Sequence, residues 1–431
     1  MSFGIGFSGL NAAKDDLDVI SNNIANSNTV GYKSSRSEFA DLFAYSLGND
    51  SVGTGVKVSS VSQDFTQGSI DSTGRELDMA IIGSGFFVVS DDDGEQFFTR
   101  AGYFDLDADN KIVNNEGYRL QGYAADANGN ILGGNLTDLG INFSEITGKA
   151  TTYVEGAANL DARNPVIASG TAFDPLNQNS YNSSMAFNVY DSQGNAHSLS
   201  MYLAKGGGNA WTGYFQIDGN TIMDGASPAE LTFNFSHGGE LTSITGSTLP
   251  GATIAADNVT INGFTIESDD YLGGDGSAGS GPVDDLSLTV DFTSFTQMGT
   301  DFYVTRSAQD GFPPGKLTNI QISDDGFLRT LYSNGRSFVQ GQVVLAAFAN
   351  ENGLASGGDS LWLNTQQSGA ALFGVPGSGT MGEMKTASLE ASNVDLSQEL
   401  VKLIEAQRNY QANAKSIETA SSLSQTLMNI I

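Results

Sequence analysis

Two apolar seams, one at each end of the chain, most restrict what it can fold into. In the first, Leu10, Ala13, Leu17, Ile20 and Ile24 recur at alternating steps of three and four between Ser8 and Asn28, with Phe3 in phase ahead of them. That spacing puts one apolar stripe along a helix. In the second, Leu396, Leu400, Leu403, Tyr410 and Ile417 form a comparable stripe between Ser392 and Ile431, which drifts to Leu427 in the last turns. A helix as short as the first is marginal alone in water, and each Leu or Ile left bare forgoes about 1.5–3 kcal/mol of burial. These residues are therefore the candidate self-assembly interface, pairing the two ends with each other, with other copies of the chain, or with both.

Between the seams the signals are those of short strands and tight turns. A chain of 431 residues is too long for one ordinary core, and 53 Gly against 8 Pro favours frequent turns. Phe86 to Val89, a turn at Asp91 to Gly94, and Phe97 to Arg100 read as a hairpin. Tyr103 to Leu106, Lys111 to Val113 and Tyr118 to Tyr123 continue it. A similar cadence returns at Ile320 to Ser323, Phe327 to Leu331 and Phe338 to Phe348, and each copy carries Gln-Gly in its last strand, Gln121-Gly122 and Gln340-Gly341. This faint repeat suggests two halves of one β-domain interrupted by an insertion, in which strands are expected at 184–190, 198–203, 211–217, 231–235, 259–266 and 286–292. Residues 353–382 read as a loose return strand, and Asp395 with Gln398 as a capping box for the final helix.

The expected fold is mainly β with long α-helical termini, its nested β-domains carried on a coiled-coil-like base formed by the N- and C-terminal helices. The expected divisions are a helical domain at 1–28 plus 392–431, an extended connector at 29–70 plus 370–391, a β-domain at 71–146 plus 313–369, and an inserted outer β-domain at 147–312.

A formal charge of −30, from 49 acidic against 19 basic residues, argues against nucleic acid or an anionic membrane as partner. Cys is absent, which excludes disulfides, thiolate nucleophiles and Cys-ligated zinc. Residues 1–11 show no basic n-region or apolar h-region of a secretory signal, and no run approaches the ~18 apolar residues of a membrane span.

Several patterns imitate chemistry. Gly4, Gly6 and Gly9 spell a dinucleotide fingerprint, but only Met1 to Phe3 precede them, where the motif needs a strand. Gly377, Gly379 and Gly382 repeat the spelling beside Pro376. Asp105, Asp107, Asp109 and Glu116 fall at positions of a calcium loop, yet their flanks read as strands, so a plain hairpin is expected. His197 and His237, the only histidines, read as surface residues, and no nucleophile elbow accompanies them. No catalytic residue, cofactor or metal site is assigned.

The ends then become specific. Ser8-Gly-Leu-Asn-Ala-Ala through Ser21-Asn-Asn-Ile-Ala-Asn-Ser-Asn-Thr-Val-Gly-Tyr-Lys33 resembles the N-terminal signature of bacterial flagellar axial proteins, the rod and hook components. Leu389-Glu-Ala-Ser-Asn-Val-Asp395 and Glu405-Ala-Gln-Arg-Asn-Tyr-Gln411 resemble their C-terminal signature. Gln67-Gly-Ser-Ile70, Gly83-Ser-Gly-Phe-Phe87 and Thr99-Arg-Ala-Gly-Tyr103 look like the family's β-domain, and Val189-Tyr-Asp-Ser-Gln-Gly-Asn195 like the outer domain of its hook members. The resemblance implies a hook subunit in a flexible helical tube, with helices forming the inner wall, acting as a universal joint between rod and filament. It implies as partners other copies, the distal rod protein, the hook-cap protein and the hook-filament junction protein, with no nucleic acid and no membrane insertion. It further implies export to the extracellular hook through a type III channel without a cleaved signal. A distal rod protein and a secreted β-rich binding module are the alternatives, the first disfavoured by the long insertion.

Overall fold

The computed structural model describes residues 2–42, 53, 55–126, 129–168, 170–267 and 283–430, with side chains from Phe3 to Thr426 within them. Helix α1 runs Ser2–Ala25 and helix α2 runs Leu396–Ile430. They pack together and run antiparallel, since Gly6 lies at Ile417, Gly9 at Asn413, and Asn23 at Glu399. The seam placed the start of α1 at Ser8; the helix in fact begins at Ser2 and absorbs the glycine triplet. A Cβ on Gly6 would lie 3.0 Å from Ile417 Cγ1, and one on Gly9 2.8 Å from Asn413 Oδ1. Two of the three fingerprint glycines thus let the helices approach, and nothing in their setting resembles a strand-turn-helix phosphate cradle. At α2, Asp395 Oδ1 accepts the N–H of Ser397 (2.9 Å) and of Gln398 (3.2 Å); among the described residues this is the Asp395 half of the expected capping box, without a return bond from the Gln398 side chain.

The chain divides into two units. The first comprises residues 1–143, 318–331 and 337–431, the second 144–317 and 332–336. In the first unit, strands β1 (Ser35–Leu42) and β2 (Gly55–Gln63) form an antiparallel hairpin that lies against α1. A large sheet follows, in the order Leu317–Ile322, Phe327–Tyr332, Ser337–Val343, Arg119–Ala124, Phe86–Ser90, Gln96–Thr99, Leu361–Leu363 and Ala355–Gly358. The two Gln-Gly copies meet in it, with Val343 opposite Gly122 and Gly341 opposite Ala124. Both glycines face a backbone oxygen of the paired strand and the Leu139 side chain: a Cβ on Gly122 would collide with Gln342 O and lie 2.7 Å from Leu139 Cδ1, and one on Gly341 would lie 2.8 Å from both Leu139 Cδ2 and Tyr123 O. Gly122→Ala is expected to destabilise this unit by about 1–3 kcal/mol, read as a lower urea midpoint for Trp362 fluorescence in a Trp211→Phe background.

Residues 353–382 are not a loose return strand. Ala355–Gly358 and Leu361–Leu363 form a hairpin on the sheet edge, and Leu372–Gly374 pairs with Leu345–Ala347. The reason is aromatic packing: Trp362 lies against Phe86 and Phe65 at 5.5 and 5.7 Å, and its Nε1–H donates to Gln63 Oε1 at 2.7 Å. The turn between Asp105–Leu106 and Ile112–Val113 is closed by Asp107 Oδ1, which accepts the N–H of Asp109 and of Lys111, with Asn110 at φ +62°. The acidic residues there serve a hairpin.

Among the described residues the second unit is built on two six-stranded sheets sharing one core of Trp211, Phe187, Phe215, Phe233, Phe264 and Phe292, with a small two-stranded sheet of Met223–Asp224 and Ser227–Pro228 beside them in the chain. Strand Ser183–Tyr190 alternates buried and exposed side chains as its sequence does. Tyr153–Asp161, unforeseen, lies within one sheet and pairs on both sides. Its Gly156 leaves room for the rings of Phe187 and Phe295, where a Cβ would come within 3.0 and 3.2 Å. His197 corrects its expectation too: it is buried, with Nδ1 2.6 Å from Asp218 Oδ2 and Nε2 3.4 Å from Asp191 Oδ2. His237 is exposed.

Candidate self-assembly surface

The helix pair is held to the β-region by polar clamps built from the chain's own signature residues. Asn23 sits in α1 and donates to Ser35 O (2.7 Å) and Glu399 Oε2 (3.3 Å), while its Oδ1 accepts Ser35 N–H (2.9 Å) and the Tyr32 hydroxyl (3.2 Å). Asn393, just before α2, accepts Ser34 N–H at 2.8 Å and donates to Asp64 O at 2.8 Å. Such bidentate amides fix where each helix leaves the strands.

Behind them lies a buried ionic cluster. Glu390 Oε1 accepts from Lys33 Nζ at 2.7 Å and from Gly68 N–H at 2.9 Å, and Glu390 Oε2 faces Arg100 at 3.3 Å. The three side chains are 2 % exposed or less. Lys33 also donates to Thr66 O, and Arg100 to Gly83 O, at 2.7 and 2.8 Å. Burial pulls the Lys33 and Arg100 pKa values below their ordinary ranges, against the upward pull of Glu390. Gly31 completes the junction: at φ +69° its N–H donates to Glu390 O (2.8 Å), and a Cβ would collide with Arg100 and Ala101 backbone. Sequence reasoning missed this cluster, because its members lie far apart in the chain; the signal available was that each sits inside a signature segment.

On this platform the seam residues divide. Ala13 and Ile20 are buried, and Leu10, Leu17, Ile24, Leu403 and Ile417 half-buried. Leu396 (46 %), Leu400 (45 %) and Tyr410 (36 %) are exposed, joined by Val401 and Ile404, which the seam omitted. The side chain of Leu427 lies outside the described residues. Part of the predicted interface is thus spent between the helices, and part of α2 remains a bare apolar stripe.

Comparison with known proteins matches four family models along the chain: Flagella basal body rod protein over 4–33, Flagellar hook protein FlgE/F/G D1 domain over 80–154, Flagellar basal body protein FlaE D2 domain over 159–312, and Flagellar basal body rod FlgEFG protein C-terminal over 385–430. The flagellar hook protein FlgE of Salmonella typhimurium is 41% identical over 433 residues, covering 100% of both chains. The chain belongs to the flagellar hook protein family. It is a hook subunit, a structural component of the flagellar basal body assembly. The hook proteins of Escherichia coli (40%, 100% of both chains) and Borreliella burgdorferi (33%, 99% of this chain and 98% of that one) agree. The crystal structure of the Helicobacter pylori hook protein FlgE2 shares the fold, with a TM-score of 0.54 at 15% identity over 74% of this chain and 100% of that one. Among the described residues no helix of this hook protein is long and apolar enough to cross a membrane.

Proposed function

We propose that the chain polymerises through its terminal helices into a flexible helical tube that transmits torque from rod to filament. The observation that carries this is the bare stripe of Leu396, Leu400, Val401 and Ile404 on a helix whose other face is already covered by α1. Four large apolar side chains in nine residues are stabilised only when covered, at about 1.5–3 kcal/mol each. Leu10, Ala13, Leu17, Ile20, Ile24, Leu403, Tyr410, Ile417 and Leu427 belong to the same helical base, formed by 1–28 and 392–431, with 29–70 and 370–391 as connector, 71–146 and 313–369 as β-domain, and 147–312 as outer domain. Bending follows if the helical base stays packed while outer domains slide across polar contacts that are cheap to exchange. The role is structural, with no catalytic step. The distal rod, hook-cap and hook-filament junction proteins are the neighbours this role requires, and the site of action is outside the cell after export as an unfolded chain without a cleaved signal.

With −30 formal charges per copy, packing copies together requires screening. Turbidity and pelleting of the full-length chain are expected to rise with added salt. Assembly that weakens as salt increases would contradict the proposal.

A further inference from the structure

Resting on the polymer reading above, the next step is which surfaces of two copies meet. A groove of about 470 Å³ runs beside α1, lined by Gly9, Ala12 and Ala13, by Ala406 and Ala412 of α2, and by Phe39 of the β1–β2 hairpin. The short side chains of Ala12, Ala13 and Ala406 keep its floor low, and its volume falls in the range of about 300–1,000 Å³ that takes up whole ligands. On the same helix Phe3 and Phe7 are 53 % and 56 % exposed. They are four residues apart and share a face. At 3.6 residues per turn that face points on the order of 150° away from the groove-lining Gly9, Ala12 and Ala13, so the rings cannot enter their own chain's groove.

We infer that Phe3 and Phe7 of one copy seat in the groove between α1, α2 and the hairpin of the next copy. Charge supports a second copy as occupant. Lys14 is exposed on the face of Phe7, seven residues on, and Asp18 is exposed on that face a further turn away, while Asp16 lines the groove, so the charge nearest the rings that docking brings toward the groove carboxylate is a cation. The arrangement also accounts for growth without end. A knob and a hole on opposite sides of one helix make a heterologous contact, which propagates into an open helical polymer rather than closing as a two-fold dimer.

The chain has no Cys, so introduced thiols report only on the positions chosen. Ala412 is exposed at the groove. Full-length chain carrying both Phe7→Cys and Ala412→Cys, assembled into tubes and mildly oxidised, is expected to give a ladder of covalent dimers, trimers and higher species on a non-reducing gel, because a disulfide needs Cβ atoms about 3.5–4.5 Å apart. An equal mixture of the two single variants should stop at dimers, and Phe7→Cys alone should give none. Should the double variant not polymerise by itself, its co-assembly into parent tubes still yields cross-linked dimers. Tubes without cross-links, or dimers from Phe7→Cys alone, overturn the inference while leaving the polymer reading intact. A parent chain that forms no tubes removes the reading, and the inference with it.

Discussion

Glutamine in place of Glu390 is expected to lower the stability of the first unit by about 3–5 kcal/mol, the cost of removing one partner from a buried ion pair. The substitution keeps the shape but strands two buried cations, Lys33 and Arg100, and weakens the anchor of Gly68 N–H. The deficit has a pH signature. Burial already holds the Lys33 pKa below its ordinary value of 10.5, with Glu390 opposing that shift, and removing Glu390 depresses it further. The unfolded variant then binds more protons than the folded one between the depressed value and 10.5, so its stability rises with pH through that window. Urea unfolding followed at Trp362, in a Trp211→Phe background, measures the loss. A midpoint within about 0.5 kcal/mol of the parent, the range of an ordinary surface substitution, would show that the cluster is not what joins the chain ends to the sheet.

Asp in place of Leu17, or of Leu403, is expected to abolish tube formation while leaving the second unit folded. Both leucines are half-buried on the helix pair, so the variant loses about 1.5–3 kcal/mol of burial and must also desolvate a carboxylate. At 1.4 kcal/mol per factor of ten, a penalty of about 3 kcal/mol per copy raises the critical concentration roughly 100-fold. Pelleting measures it, and unchanged Trp211 emission confirms that the core around Phe187, Phe215 and Phe233 is intact. Tubes at the parent's critical concentration would contradict the role of these residues.

What could be read from the sequence was local and periodic. Ser183–Tyr190 and Glu230–Phe235 bury alternate residues, and that pattern is visible in the bare string because one face of each strand lies on the core. Tyr153–Asp161 was not visible. Its run Gly156-Ala157-Ala158 lacks the β-branched and aromatic residues that mark strands, because bulky neighbours such as Phe187 and Phe295 fill the space. The helical seams were legible as helices but not as faces. Spacing alone does not say which stripe α1 covers, so Leu403 and Leu400, equally apolar, end half-buried and exposed. The Glu390 cluster and the buried His197 depend on partners brought together by the fold; the sequence marks the members of the cluster by placing each in a signature segment, but it does not pair them.

Negative-stain electron microscopy of concentrated full-length chain, beside a version lacking 1–30 and 396–431, tests most directly whether the terminal helices build the polymer. Tubes from the full-length chain only, curved rather than straight, are the expected result. Monodisperse particles from both, even with the matching hook-cap protein added, would mean that α1 and α2 serve only as an intramolecular pair, and would contradict assembly through the chain ends.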